Sequence, residues 1–364
     1  MMKHIIILGI ALLVALSGCA TETTEGPIKI GNIGPLTGDV AFLGVNVKVA
    51  VGTAIEEINA EGGINGRLLE GIYEDGECGP KEGANAANKL INIDGVDFII
   101  GGLCSGETLG AAPIAEEAGV VLFSPTSSNP DITNSGDYIF RSYPSDAFQG
   151  KVAAEYVLND LAGEKIAIMN CQGDWCVGVK NVFKEHLLSI GGNIVAEEDF
   201  AQGSVDLRSQ LTKVKDSDPD VVYILSYTQS GVALLTQMKE LGIDAKVLGG
   251  DSWADDTLWE QAASAGDGAR FLVPSTPPSE EFDAKMKAKG IEASLGTQQG
   301  YDNVMILADI FREFGTNPVV VKEALYNVKD YQGFSGVITI DSNGDLEKAV
   351  YDVKEANNGV AAVI

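Results

Sequence analysis

VDFIIGGLCSGETLGAAPIAEEAG, residues 96–119, is the stretch on which the fold reading rests. VDFIIGG (96–102) reads as a strand, because it is a short apolar run bounded by glycine. GETLGAAPIAEEAG reads as a helix ending at a glycine. Between them, GGLCSGET (101–108) is a tight strand-to-helix turn. The same strand–turn–helix unit recurs in both directions. Upstream, IKIGNIG (28–34) and LLEGIYED (68–75) read as strands. The periodicity predicts a helix over Val45–Ile58, and a second over Pro80–Ile93 that opens on proline. Downstream, VVLFS (120–124), KIAIMN (165–170), VVYILS (221–226), KVLGG (246–250) and ARFLV (269–273) read as strands with helix-like segments between. Alternating strands and helices imply an α/β fold with parallel sheets covered on both faces. About ten such units exceed one compact sheet, so two lobes are expected.

Composition narrows the function classes. Against 25 Lys and Arg stand 52 Asp and Glu, a net charge of −27. No basic stripe is present to neutralise phosphates, so no nucleic-acid partner is expected. Lys3 and His4 precede an apolar run from Ile5 to Leu16, too short to span a bilayer and shaped like a secretory signal. Leu16-Ser17-Gly18-Cys19 closes that run and resembles a lipobox. The resemblance implies a signal peptide over 1–18, a lipid on Cys19 and a tether over 19–26. Four cysteines follow, Cys78, Cys104, Cys171 and Cys176, and an even count in an exported chain favours disulfides.

In open α/β sheets, ligands bind where strands end and helices begin. Those loops here are GPLTG (34–38), GGLCSGET, SPTSSNP (124–130), NCQGDWC (170–176), SYTQSG (226–231) and GGDSWADD (249–256). Cys104 or Ser105 at the centre of GGLCSGET superficially copies a nucleophile elbow, but a nucleophile needs a base. Beyond the signal stretch the only histidine is His186, on a helix that carries it away from these loops. A hydrolase is therefore disfavoured. The cysteine spacing lacks the paired short repeat of a zinc site, and no dinucleotide or Walker motif is present, so neither metal nor cofactor is expected. Binding is what remains. A helix N-terminus presents unpaired N–H groups that suit a carboxylate, and Ser105 would add a hydroxyl or cap the helix. Asp251, at the end of another strand, would pair with an ammonium or cap a helix.

GPLTG, AIEEINAEGGINGR (54–67), EDGECGPKEGANAANKL (74–90), GGLCSGET, SPTSSNP and GYDNVMILADI (300–310) together resemble the leucine/isoleucine/valine-type periplasmic-binding proteins. The resemblance runs in order through nearly the whole exported chain. It implies the type I periplasmic-binding fold, two Rossmann-like lobes joined by three crossover segments near 141–146, 271–277 and 336–342. Lobe one would be 27–142 plus 276–337, and lobe two 146–271 plus 341–364. It also implies a non-enzymatic, monomeric receptor that delivers an amino acid, branched-chain or otherwise apolar, to an ABC permease. Relatives that bind amides, urea or aromatic acids, or act as sensors, leave those ligand classes and roles open.

Residue by residue, the resemblance places Ser105 on the ligand carboxylate, and Thr126 and Ser128 in a loop touching carboxylate and ammonium. Asp251 takes the ammonium where leucine-binding members carry glutamate, one methylene longer. Tyr227 and Trp175 are second-lobe aromatics over the ligand, and Leu43 replaces an aromatic wall. Trp253 and Phe42 are weaker pocket candidates. The resemblance pairs Cys78 with Cys104. A Cys171–Cys176 bridge rests on the cysteine count alone.

Overall fold

The computed structural model describes residues 26–364. The signal stretch and Cys19, with the lipid expected on it, lie outside the described residues. The first sheet takes β1 (Ile28–Gly34), β2 (Leu69–Asp75), β3 (Phe98–Ile100), β4 (Val121–Ser124) and β5 (Ile139–Arg141) in the order β2-β1-β3-β4-β5, all parallel. Helices α1 (Ala41–Ala60), α2 (Pro80–Lys89) and α3 (Ser105–Ala118) connect the early strands. β3 shows why its sequence is apolar without alternation. Phe98 and Ile100 face one core cluster, and Ile99 faces the other with Ala111, Ala112 and Ala115 of α3. A strand covered on both faces has no polar side to show.

The chain continues through α4 (Asp146–Asn159), β6 (Ile166–Cys171), α5 (Asp174–Ser189), β7 (Ile194–Phe200), α6 (Arg208–Asp216), β8 (Val221–Leu225), α7 (Thr228–Leu241), β9 (Lys246–Gly249), α8 (Asp256–Ala262) and β10 (Arg270–Pro274). Then come α9 (Glu280–Ala288), α10 (Thr297–Phe314), α11 (Pro318–Tyr326), the hairpin β11 (Tyr331–Gly333) and β12 (Gly336–Ile338), and finally β13 (Tyr351–Asn357) and β14 (Val360–Val363). The second sheet has the order β14-β13-β10-β9-β8-β6-β7. Its five strands from β7 to β10 are parallel, and β13 and β14 add antiparallel at the β10 side. Within those five strands the order matches that of the first sheet, so each sheet has its switch point beside its first strand. Among the described residues, no helix is long and apolar enough to cross a membrane.

Two expectations change. The helix predicted to Ile93 is α-helical only to Lys89, and Leu90–Asp94 form a π turn that stops at Gly95 with φ 68°. β7 was not legible as a strand, because IVAEEDF is an acidic edge. Its Glu197 and Asp199 pair with Lys180 of α5, and Glu198 pairs with Lys213 of α6.

Two disulfides are formed, Cys78–Cys104 and Cys171–Cys176. The first closes a separation of 26 residues, for which chain entropy gives a stabilisation of about 3–4 kcal/mol. A fully buried guanidinium, Arg141 at the end of β5, is held by Asp345 through Nε–Oδ1 at 2.7 Å and Nη2–Oδ2 at 2.8 Å. Arg141 also donates to Asn129 O at 2.9 Å and to Thr133 Oγ1 at 2.7 Å. One side chain thus ties β5, the loop after β4 and the turn before β13.

Candidate functional site

The turn after β3 is shaped by a buried carboxylate. Glu107, in the first turn of α3, accepts from Leu103 N at 2.9 Å, Cys104 N at 3.0 Å and Cys78 N at 3.0 Å. Glycine is needed beside it. A Cβ on Gly76 would lie 2.4 Å from Glu107 Oε1, and one on Gly102 would lie 2.4 Å from Glu107 Cβ. Burial outweighs those three donors and pushes the Glu107 carboxyl up to about 7. Its native form therefore binds more protons than the unfolded chain between about pH 4.5 and 7, and the stability it contributes falls as pH rises through that window. Carboxyl-carbon NMR on the folded protein should show one glutamate titrating near 7. An ordinary midpoint near 4.5 for Glu107 would contradict this account.

Ser105 is the first residue of α3 rather than its cap, which is Cys104. Its Oγ accepts from Ser128 N at 3.2 Å and Asn129 N at 3.1 Å, so it joins two strand-end loops. The N–H groups of Ser105 and Gly106, in the first turn, have no intrahelical partner. Hydroxyls lock the second loop to the first. Ser124 Oγ donates to Gly102 O at 2.7 Å, and Thr126 Oγ1 donates to Leu103 O at 2.6 Å. Ser127 Oγ donates to Gly102 O at 2.9 Å.

The second sheet brings the opposing wall. Trp175 in α5 and Tyr227 before α7 have ring centroids 5.3 Å apart. The Cys171–Cys176 bridge flanks Trp175 in sequence, and Tyr227 Oη lies 3.8 Å from Cys78 Sγ across from it. Asn129 Nδ2 also crosses to this side, donating to Asp174 O at 2.6 Å. Asp251 follows β9 and opens a short 3-10 turn. It caps no helix, and its Oδ2 accepts from Tyr143 Oη at 2.7 Å. Burial raises the Asp251 carboxyl, and the Tyr143 hydrogen bond opposes that shift. Behind it, Asp146 is fully buried and neither carboxylate oxygen has a hydrogen-bond partner among the described residues. Burial first, and then the neighbouring Asp251, push the Asp146 carboxyl well above the usual range.

Leu43, Ser105, Thr126, Ser128, Trp175, Tyr227 and Asp251 all line one narrow cavity, which has a volume of about 40 Å³ and is partly open to solvent. Leu103, Cys104, Ser252 and Leu295 complete its wall. Leu103 and Ser252 sit beside residues singled out in sequence, whereas Leu295 comes from a remote segment with no local signal. The two weaker candidates lie elsewhere. Trp253 is buried packing, with Nε1 donating to Ser226 Oγ at 3.0 Å, and Phe42 lines a separate open crevice of about 750 Å³. Among the described residues the one histidine, His186, sits on α5 with Nε2 3.0 Å from Glu155. That places it on the helix that packs on α4, so the turn has no histidine base, and Cys104 is tied up in its disulfide with Cys78.

Two α/β sheets of one strand order, meeting switch point to switch point around a cavity walled by hydroxyls, aromatics and one carboxylate, define a bilobal solute receptor. The chain belongs to the periplasmic binding protein family, whose sequence profile matches residues 27–359. It is 31% identical over 339 residues to the Leu/Ile/Val-binding protein homolog 3 of Brucella melitensis, covering 91% of this chain and 92% of that one. Among solved structures, a leucine binding protein from Thermotoga maritima matches with a TM-score of 0.86 at 29% identity, over 93% of this chain and 97% of that one. A branched-chain amino acid transporter substrate binding protein from Streptococcus pneumoniae, in complex with isoleucine, matches with a TM-score of 0.84 at 28% identity, over 93% and 99% of the two chains.

Proposed function

We propose that this chain is the extracytoplasmic receptor of an ABC importer, binding a branched-chain or other apolar amino acid and handing it to a membrane permease. It acts as a monomer held to the membrane by lipid on Cys19. The observation that carries the reading is one cavity with Asp251 on the side of the second sheet and the Ser105 and Ser128 loops on the side of the first. Ser105 and the first-turn amides of α3 take the carboxylate, assisted by Thr126 and Ser128. Asp251 takes the ammonium. Trp175 and Tyr227 cover the ligand, and Leu43 with Leu103 and Leu295 receives its side chain. An apolar lining favours an aliphatic side chain by area removed from water.

The lobes are about 27–142 plus 276–337 and 146–271 plus 341–364. They open and close about the crossings near 141–146, 271–277 and 336–342. Closure excludes water and strengthens both charged contacts.

The test is thermal unfolding of the soluble domain, stripped of carried ligand by unfolding and refolding. The screen covers the twenty amino acids, short amides, urea and aromatic acids. Ligand at 100 times its Kd stabilises by about 2.7 kcal/mol, a shift of a few degrees. Leucine, isoleucine or valine should give that shift. A shift with an amide, urea or aromatic acid and none with any amino acid would overturn the assignment of Asp251 to an ammonium.

A further inference from the structure

Tyr143 is fully buried in the connection between β5 and α4, within the first crossing between the sheets. Nothing in its sequence context, RSYPSD, marks it as functional. Its phenol reaches across to the second sheet and donates to Asp251 Oδ2 at 2.7 Å. Gln149 Oε1 accepts from the Asp251 backbone N–H at 3.4 Å, and the Gln149 side chain and the Ser252 amide favour the charged carboxylate more weakly than the Tyr143 hydroxyl does. We propose that Tyr143 is the positioning residue of the amino-acid site: its hydroxyl fixes the Asp251 carboxylate and keeps it in the form that pairs with an ammonium. This inference rests on the ammonium role of Asp251 given above.

The surroundings give Tyr143 that task. Groups that interact electrostatically with Asp251 come from several elements: Asp146 from α4, Tyr223 from β8, Tyr351 from β13 and Tyr227 from the loop before α7. Arg141, the nearby cation, is engaged by Asp345 in a two-pronged pair. The phenols of Tyr223 and Tyr351 have no hydrogen-bond partner among the described residues. Tyr143 is thus the phenol that donates to the Asp251 carboxylate. Burial holds the Tyr143 phenol far above its ordinary range, so it remains a donor at all working pH values. Burial raises Asp251. An ammonium site on Asp251 therefore loses affinity as pH falls, and the Tyr143 donor sets how early that loss begins.

The experiment is calorimetric titration with leucine, or with whichever amino acid the unfolding screen selects, from pH 4 to 8. Tyr143→Phe should bind about 10- to 100-fold more weakly at neutral pH, the range for a hydrogen bond to a charged group. Its affinity–pH midpoint should move to higher pH, which a merely structural loss would not do. Placing 3-fluorotyrosine at position 143 makes the phenol a stronger donor without changing its shape, and should move the midpoint to lower pH. That arm stands even if the phenylalanine variant folds poorly. In an Asp251→Asn background, Tyr143→Phe should add less than about twofold. If Asp251→Asn weakens binding while both Tyr143 changes leave the midpoint in place, the positioning role is overturned and the ammonium site survives. If Asp251→Asn binds as the parent does, both are overturned.

Discussion

Replacing Asp251 by alanine is expected to weaken amino-acid binding by roughly 2–5 kcal/mol, the range for breaking a buried charge pair on one side. The carboxylate is only 3% exposed, so water cannot replace it as a partner for an incoming ammonium. The unliganded protein should behave differently. There Asp251 is a buried charge beside a second buried carboxyl, Asp146, and its removal relieves a desolvation cost while leaving the Tyr143 hydroxyl unpaired. Calorimetry should therefore show a large loss of affinity, while urea unfolding without ligand changes by about 1 kcal/mol or less in either direction. Unchanged affinity would remove Asp251 from the site. An equal loss in affinity and stability would mean that the residue only holds the fold.

Asp345→Ala should destabilise the fold by about 3–5 kcal/mol in urea unfolding. It strips Arg141 of a two-pronged carboxylate at 2.7 and 2.8 Å and leaves a guanidinium with 0% side-chain exposure beside one carbonyl and one hydroxyl. Arg141 N also donates to Gly344 O at 2.9 Å, so the turn carrying Asp345 and the end of β5 would loosen together. The double replacement Arg141→Met with Asp345→Leu tests the cause, because it removes both charges. It should recover most of the loss. A single-variant effect below about 1 kcal/mol would show that water reaches the guanidinium after all.

How far the sequence could be read depended on where the information lay. Strands β1 to β4 and β6, β8, β9 and β10 were legible because helices cover both faces and leave continuous apolar runs. The strands missed had other supports. β5 is three residues long, β7 hides its edge under helix lysines, β13 carries charged, half-buried residues, and β14 is a short, mostly exposed edge that pairs with it antiparallel. The cavity-lining residues carried recognisable local patterns at strand ends. What no local pattern holds is long-range pairing. Leu295 reaches the cavity from a loop before α10, and Tyr143 meets Asp251 across 108 positions. Glu107 reads as an ordinary first-turn acid until Cys78 N is found on its other oxygen.

The two sheets share one strand order, yet they hold different chemistry at corresponding points. The first sheet ends in hydroxyls and helix amides, and the second ends in Asp251 and two aromatic rings. On the proposed reading, an α-amino acid, whose carboxylate and ammonium share one carbon, meets both sets of groups only when the two sheets stand close together. The cleft would then behave as a clasp: the presence of that paired charge would be read out as the closeness of the two sheets. A surface touching both bodies could sense that closeness without ever meeting the ligand.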